Sequence, residues 1–211
     1  MSQPKPALLT DPRLRAAYSE GAGVYRIVPE AVAVPQGVEE LQRLVRFAAE
    51  SGISLVPRGA GSGMAGGNVG HGVVVDLSQG FRWVAPDWSR RTAWVGASTT
   101  WAELTTAARP FGLRLPPDPS SGAFATSGGM VATNAAGPRS VGSGSVRSWV
   151  QAVEIIEADG TSRRVERGAG SGSACQLTSA DSCERPFQRP ARIQQAMPWI
   201  SLPPPATSSI S

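Results

Sequence analysis

The fold is decided by the stretch Pro57-Arg58-Gly59-Ala60-Gly61-Ser62-Gly63-Met64-Ala65-Gly66-Gly67-Asn68, in which five of the twelve residues are glycine. Apolar runs precede it at residues 53–56 and follow it at residues 73–77, so the sequence predicts a long loop between two strands. Glycine lets a ligand approach the backbone closely, and consecutive exposed N–H groups form a concavity that suits phosphate oxygens. We therefore interpret the stretch as a pyrophosphate-binding loop, with Arg58 adding a charge-assisted contact at its entrance. For a glycine cluster taken by itself, the alternative is a flexible surface loop.

Two familiar phosphate-binding motifs do not fit this loop. No Lys-Ser/Thr pair closes it, which excludes a P-loop. Gly61, Gly63 and Gly66 match a loose G-x-G-x-x-G pattern, but a dinucleotide fingerprint must open a helix. Here the glycines lead into a strand, so the sequence gives little support to a Rossmann fold.

The flanking sequence predicts alternating strands and helices. A strand at residues 31–34, a helix with apolar residues at helical spacing from Val38 to Ala49, and the strand at 53–56 form a β-α-β unit. Further strands are expected at 73–77 and 92–95, and residues 82–91 are interpreted as a polar connector. Thr100 and Glu103 have the capping-box spacing, which predicts a helix of about ten residues. Asp159-Gly160 marks the turn of a hairpin.

Composition excludes several classes of protein. The 211 residues suffice for one ordinary domain or two small ones. The sequence contains no long apolar run and no basic-then-apolar leader, so we expect a cytoplasmic protein that does not span a membrane. The net charge of +4 comes from scattered arginines, and no basic block indicates nucleic-acid binding. Two cysteines fit neither a disulfide framework nor a zinc site.

A second stretch of small residues runs from Thr126 to Gly137 and reads TSGGMVATNAAG. A core helix would carry bulkier side chains, whereas a segment pressed against a flat ligand would not. Hydroxyl groups and the Asn134 amide supply hydrogen-bonding groups there. The alternative is a flexible linker, which the ordered alternation with apolar residues disfavours.

Taken together, these motifs resemble the FAD-binding domain of FAD-linked oxidases, the family of vanillyl-alcohol oxidase and p-cresol methylhydroxylase (PCMH) type. Within that family the chain is most similar to the branch of D-lactate dehydrogenase, glycolate oxidase and 2-hydroxyglutarate dehydrogenase. The glycine loop, Pro117-Asp118-Pro119-Ser120-Ser121, the stretch from Thr126 and Glu154-Ile155-Ile156-Glu157-Ala158-Asp159-Gly160 carry the resemblance. It implies an α+β fold: two α/β subdomains of the PCMH-type FAD-binding fold with FAD between them. The implied domain spans residues 29–168, after an N-terminal extension at 1–28.

The resemblance also implies a role for individual residues. The pyrophosphate would lie on backbone N–H groups of the glycine loop, and other residues would line the flavin and ribityl side. The strand containing Ile155 would hold the adenine through its main chain. The implied cofactor-binding residues are Arg58, Gly59, Ala60, Gly61, Ser62, Gly63, Asp118, Thr126, Gly128, Gly129, Ala132, Asn134 and Ile155.

Two departures from the family pattern refine these expectations. The family's covalent flavin histidine usually lies in the glycine loop, and His71, the sole histidine, lies beyond it. We therefore expect non-covalent FAD. Ser143-Gly144 stands where relatives often have Tyr-Gly, which affects one packing contact near the flavin.

The resemblance implies an FAD-dependent oxidoreductase acting on a small 2-hydroxy acid, with an electron-acceptor partner. In the family a second, substrate-binding domain follows the FAD domain, so we expect this chain to be truncated and inactive alone, with unknown catalytic residues. One alternative is another FAD enzyme of the same fold, such as UDP-N-acetylmuramate dehydrogenase. The other is a non-catalytic truncated FAD-binding fragment. No metal site is expected.

The pattern changes after Gly168. Residues 169–211 are rich in serine and proline, contain both cysteines, and show no helical or strand period. Such composition is typical of disorder. We therefore expect a disordered tail at 169–211, produced by a change of reading frame in the gene.

Overall fold

A computed structural model describes residues 5–167, 191–198 and 200–201. Within these ranges the chain forms a parallel sheet, an antiparallel sheet and a small two-stranded sheet, with short helices between them. The predicted α+β class is confirmed. No helix in the described residues is long and apolar enough to cross a membrane.

The first sheet contains three parallel strands in the order β1-β3-β2: β1 (Ala31–Ala33), β2 (Leu55–Arg58) and β3 (Val73–Asp76). Helix α2 (Val38–Ser51) connects β1 to β2 and ends at Gly52, whose φ of 67° is left-handed. The predicted β-α-β unit is therefore confirmed, although β2 begins two residues later than the apolar run suggested. The glycine loop joins β2 to the central strand β3.

The first core lies between α2 and this sheet. The apolar stripe of α2 packs on β3 and on the segment that follows it. Its most deeply buried members include Leu41, Leu44, Val75 and Phe81. Because β3 is central, both edges of its backbone are paired, and the loop leaving β2 has a rigid base.

The second sheet has five strands in the order β4-β5-β9-β7-β8. Its members are β4 (Val84–Asp87), β5 (Thr92–Gly96), β7 (Ala152–Ile156), β8 (Ser162–Glu166) and β9 (Ala191–Pro198). The predicted hairpin is the β7–β8 pair. The expectation of a polar connector at 82–91 was wrong at β4, which pairs with β5 at the sheet edge. An edge strand tolerates Pro86 because one side of its backbone needs no ladder partner.

The helices between the sheets are short. Helix α3 (Trp101–Ala108) starts with the predicted capping box, in which Thr100 and Glu103 exchange hydrogen bonds. A 3-10 turn (Arg109–Phe111) follows, and Gly112 ends it at a φ of 67°. Strand β6 (Leu113–Arg114) then pairs with β10 (Ile200–Ser201). Helices α4 (Ser127–Ala132) and α5 (Ser140–Ser143) lie in the small-residue region and beyond it.

Strand β9 differs from the expected disordered tail. It pairs antiparallel with β5 on one side and β7 on the other, so ladder bonds along two strands depend on it. Two strands, at 191–198 and 200–201, therefore lie inside the stretch that we expected to be disordered, and the expected tail from residue 169 stays a prediction. Pairing between strands distant in sequence needs no local period, which explains why the pattern gave no signal. The rest of the predicted tail lies outside the described residues.

The N-terminal extension is folded where it is described. Helix α1 (Pro12–Ala17) is capped by Asp11, whose carboxylate accepts hydrogen bonds from the N–H groups of Arg13 and Leu14. Leu9 forms an isolated bridge with Val32 of β1. Residues 18–27, which we call the N-terminal loop, then turn toward the glycine loop.

Candidate functional site

The glycine loop begins where β2 ends, at the carboxyl edge of the parallel sheet, where open α/β sheets bind ligands. None of the backbone N–H groups of residues 59–63 donates a hydrogen bond to a described residue. Gly59, Ala60 and Gly63 are exposed, and Ser62 is half-buried. The loop therefore offers a row of unpaired donors, and four of these five residues are at least partly exposed, as a phosphate site requires.

Gly61 faces the other way. It is buried and has a φ of 72°, and a Cβ there would lie 2.8 Å from a guanidinium nitrogen of Arg58. A side chain at Gly61 is therefore strained by dihedral angle and by contact. Gly63 is different because its φ is outside the left-handed region and a Cβ would meet only the Asn68 amide at 3.6 Å. Of these two glycines, only Gly61 requires glycine for its backbone angle.

Arg58 does not reach outward as the sequence suggested. One guanidinium nitrogen donates to the carbonyl oxygen of Glu20 at 2.7 Å, and the other donates to those of Tyr18 and Asn68 at 3.3 Å each. The guanidinium also lies over the Tyr18 ring, 5.4 Å from its centroid. The side chain is directed at backbone carbonyls behind the loop, so the expected contact between Arg58 and a phosphate stays a prediction without support from this geometry.

The N-terminal loop packs on the inner side of the glycine loop. The N–H of Ala22 donates to the Gly61 carbonyl oxygen at 2.9 Å. A Cβ at Gly23 would lie within 3.0 Å of the Met64 carbonyl oxygen, and one at Gly66 would lie 2.6 Å from the Tyr25 ring. Sequence reasoning missed this contact; the available signal was Gly21 and Gly23 in a short polar segment.

Tyr18 fixes the base of the N-terminal loop to the first sheet. Its hydroxyl donates to Asp76 Oδ2 at 2.5 Å, and the other carboxylate oxygen accepts from the N–H of Ser78. Burial, and then the hydrogen bond and negative charge of Asp76, raise the pKa of Tyr18 to about 12. The hydroxyl therefore stays protonated and keeps donating across the physiological pH range.

The small-residue stretch forms α4, which the sequence did not predict as a helix. Thr126 caps it by accepting a hydrogen bond from the Gly129 N–H, and the Gly128 N–H donates to the Ala97 carbonyl oxygen at 2.8 Å. Ser127 and Met130 are buried against β5 and its surroundings, whereas Gly129 and Ala132 are exposed. Helix α4 therefore shows a surface almost without side chains.

The structure brings the two small-residue segments together. A Cβ added to Gly59 would lie within 3.0 Å of the Thr126 hydroxyl oxygen, so the glycine loop touches the start of α4. A flat ligand with phosphates could lie across both segments because neither has bulky side chains at this junction. Gly128 is held closely as well, since a Cβ there would approach Ala97 to 3.0 Å.

Asn134 follows α4 in the chain, Asp118 contacts Arg139 and Gly137, and both side chains are partly committed to internal contacts. Asn134 has a φ of 48°, and its Oδ1 accepts from the Arg147 N–H at 3.0 Å. Asp118 Oδ2 accepts from Arg139 at 2.5 Å, while its Oδ1 is buried and has no hydrogen-bond partner among the described residues. A buried carboxylate oxygen without a partner needs a donor, which a bound ligand can supply.

Ile155 is placed differently from the other predicted site residues. It lies in β7 and pairs with Arg163 of β8 and Arg192 of β9. Its main chain therefore faces strands on both sides, and the described residues leave no open strand edge there for a base. The adenine contact predicted for Ile155 stays a prediction without support from this geometry.

The unpaired N–H groups of the glycine loop and the exposed side of α4 would fit FAD at the junction of these two segments. Residues 59–63 would hold the pyrophosphate, the exposed side of α4 leaves room for a planar ring, and Asp118 Oδ1 lacks a donor. No group of three His, Cys, Asp or Glu side chains suited to a metal occurs in the described residues.

Curated relatives match the same region. A D-lactate dehydrogenase of Archaeoglobus fulgidus is 37% identical over 131 residues, which are 61% of this chain and 29% of that protein. The glycolate oxidase subunit GlcD of Bacillus subtilis is 30% identical over 149 residues, 69% of this chain and 32% of that protein. A D-2-hydroxyglutarate dehydrogenase of Xanthomonas citri pv. viticola is 34% identical over 137 residues, which are 63% of this chain and 28% of that protein. The matched region spans less than a third of each of these proteins.

Solved structures share the fold at low identity. An alkyldihydroxyacetonephosphate synthase superposes with a TM-score of 0.76 at 20% identity, over 93% of this chain and 38% of that one. Physcomitrella patens BBE-like 1 superposes with a TM-score of 0.71 at 21% identity, over 92% of this chain and 41% of that one. The predicted PCMH-type architecture is thereby confirmed. The family described as an FAD binding domain matches residues 29–166, and this chain belongs to it.

Proposed function

We propose that this chain binds FAD non-covalently, with the pyrophosphate on the backbone N–H groups at residues 59–63. The single observation that carries the proposal is the row of unpaired donors at residues 59–63, set against the start of α4. Gly129, Ala132 and Asn134 would lie toward the ribityl and flavin side, with Thr126 and Gly128 holding α4 in place. Asp118 would accept a hydrogen bond from the ligand through Oδ1.

In the complete protein, the function that this site supports best is oxidation of a small 2-hydroxy acid. The relatives named above act on D-lactate, glycolate and D-2-hydroxyglutarate by their names, and we transfer the substrate class to this chain on that ground. When bound, FAD supplies the two-electron acceptor for that oxidation. The residues of this chain bind and orient it and exclude water from its buried side. A separate electron acceptor and a cytoplasmic location belong to the same proposal.

The first test is a titration of the cofactor-free protein with FAD, followed by flavin fluorescence and visible absorbance. We expect saturable binding with one FAD per chain. Acid or heat should then release intact FAD, because no histidine, cysteine or tyrosine lies in residues 57–68. A flavin that stays attached to the denatured chain in intact mass measurement would contradict non-covalent binding.

Activity distinguishes a binding fragment from an enzyme. Since the matched region is less than a third of each relative, we expect no oxidation of D-lactate or glycolate with an artificial acceptor by this chain alone. Turnover above that of the same concentration of free FAD would show that the chain is itself catalytic. Saturable FAD binding without turnover would support the FAD-binding fragment.

A further inference from the structure

The N-terminal loop makes contacts that FAD binding at the glycine loop does not require. Ala22 donates to the carbonyl oxygen of the buried Gly61, while the N–H groups at 59–63 have no partner among the described residues and Gly59, Ala60 and Gly63 are exposed. Five consecutive residues with unpaired donors have many alternative conformations in isolation. Whatever contacts the back of the loop therefore determines how much order FAD must impose when it binds.

Arg58 joins the two loops. Its guanidinium donates to the carbonyl oxygens of Tyr18 and Glu20 in the N-terminal loop and of Asn68 at the far end of the glycine loop. Asn68 in turn donates through its amide to the Gly63 carbonyl oxygen at 3.0 Å. One side chain thus connects the N-terminal loop to both ends of the glycine loop.

Steric contacts make the fit specific. A Cβ at Gly21 would lie 2.6 Å from Asn68 Oδ1 and 2.9 Å from the Gly61 carbonyl oxygen. A Cβ at Gly23 would lie within 3.0 Å of the Met64 carbonyl oxygen, which is backbone and cannot move alone. The two loops are therefore packed backbone to backbone, and a single methyl group at Gly23 must separate them.

We infer that the N-terminal loop is a positioning element for the cofactor and that Arg58 is a positioning residue. Together they hold the glycine loop in the conformation that presents its N–H groups, without touching FAD. The inference rests on the proposed function and extends it to residues before the family match begins at residue 29. Arg58 influences affinity through carbonyl oxygens and not through a bond to phosphate.

The test compares Gly23→Ala with Gly37→Ala. Both change glycine to alanine, but a Cβ at Gly37 has nothing within 4 Å and its φ of −174° suits any residue. FAD is one probe, and riboflavin, which lacks the pyrophosphate, is the second. We expect Gly23→Ala to weaken FAD about ten-fold, the effect of losing one charge-assisted hydrogen bond, and to leave riboflavin unchanged. Gly37→Ala should match the parent protein with both probes.

A double-mutant cycle with Arg58→Gln provides the sharper readout. If Arg58 acts through the N-terminal loop, its effect on FAD affinity and that of Gly23→Ala should not add. Additive losses, accompanied by a steeper salt dependence for the parent than for Arg58→Gln, would indicate a direct phosphate contact and overturn the inference. If Gly23→Ala weakens FAD and riboflavin binding equally, the inference is overturned too, because an equal loss of both affinities indicates general unfolding. If the parent protein binds no FAD, the proposed function fails, whereas parental FAD affinity in Gly23→Ala overturns this inference alone.

Discussion

The glycine loop and helix α4 face the same site but are held in place differently. The glycine loop has no internal secondary structure between β2 and β3, and its shape depends on Arg58 and the N-terminal loop behind it. Helix α4 has a local cap at Thr126, buries Ser127 and Met130, and lies against β9. One side of the site is thus supported by residues that precede the family match, and the other by a strand that follows it.

The comparison shows that small side chains have two distinct uses at this site. In the glycine loop, Gly61 provides a left-handed backbone angle and Gly59 permits contact with Thr126. In α4, Gly128 permits close packing on Ala97, whereas Gly129 leaves the outer surface flat. Substitutions in the glycine loop should therefore lower the affinity for FAD, whereas substitutions in α4 should lower the free energy of unfolding.

The largest expected effect concerns the support of α4 by β9. Because β9 pairs with β5 and β7, its amides at 191–198 should exchange with solvent about a thousand-fold or more slowly than in an unfolded peptide. Hydrogen exchange followed by mass spectrometry measures this directly, with the β7–β8 hairpin as the internal reference. Fast exchange at 191–198 would instead support a disordered tail after a change of reading frame.

In the glycine loop, Gly61→Val should reduce FAD affinity by about 2 kcal/mol or more, because the left-handed angle and the contact with Arg58 both oppose a side chain. That corresponds to roughly thirty-fold weaker binding in a fluorescence titration. Gly63→Val is the matched control, since a Cβ there meets only Asn68 at 3.6 Å, and it should lose less FAD affinity than Gly61→Val. Equal losses at both positions would remove the distinction between the two sides of the loop.

In α4, Thr126→Ala should lower the free energy of unfolding by about 1 kcal/mol through loss of the N-cap. Denaturant unfolding of the FAD-free protein measures this without interference from the cofactor. Thr126→Ser keeps the hydroxyl and should restore most of the loss. A serine variant as unstable as the alanine variant would mean that the methyl group, not the cap, matters.

The smallest expected effect is the loss of stability on ionisation of Tyr18, which occurs only at high pH. The folded-state pKa of Tyr18, about 12, lies above its ordinary value of 10.0, so its stabilising contribution is complete below pH 10 and is lost as pH rises through 12. In Tyr25→Phe, Tyr18 is the only tyrosine, and its ionisation can be followed by ultraviolet absorbance. The midpoint should lie near pH 12. A midpoint near 10 would show that Tyr18 is neither buried nor hydrogen-bonded to Asp76 as described.

The parts predicted from sequence are those with local signals. Helix α2, the Thr100 capping box and the Asp159-Gly160 hairpin each follow from residues a few positions apart. The glycine loop and its neighbour at 126–137 were identified through composition, and the structure brings them into contact at Gly59.

The parts that sequence missed depend on distant partners. Arg58 was expected to reach phosphate, yet carbonyl groups of Tyr18 and Glu20, about forty residues earlier, take its donors. Edge strand β4 lacked an apolar alternation, and β9 lies between strands that are far from it in sequence. No local pattern encodes such contacts, because they are decided by which surfaces the folded chain brings together.

The contact between Arg58 and the N-terminal loop has a practical consequence for protein engineering. The family match suggests a minimal domain starting at residue 29, and a fragment cut there would lack Tyr18, Glu20 and Ala22. Arg58 would lose two of its three carbonyl partners, and the Gly61 carbonyl oxygen would lose its donor. Expression fragments, fusion junctions and protease sites intended to preserve cofactor affinity should therefore be placed before residue 18.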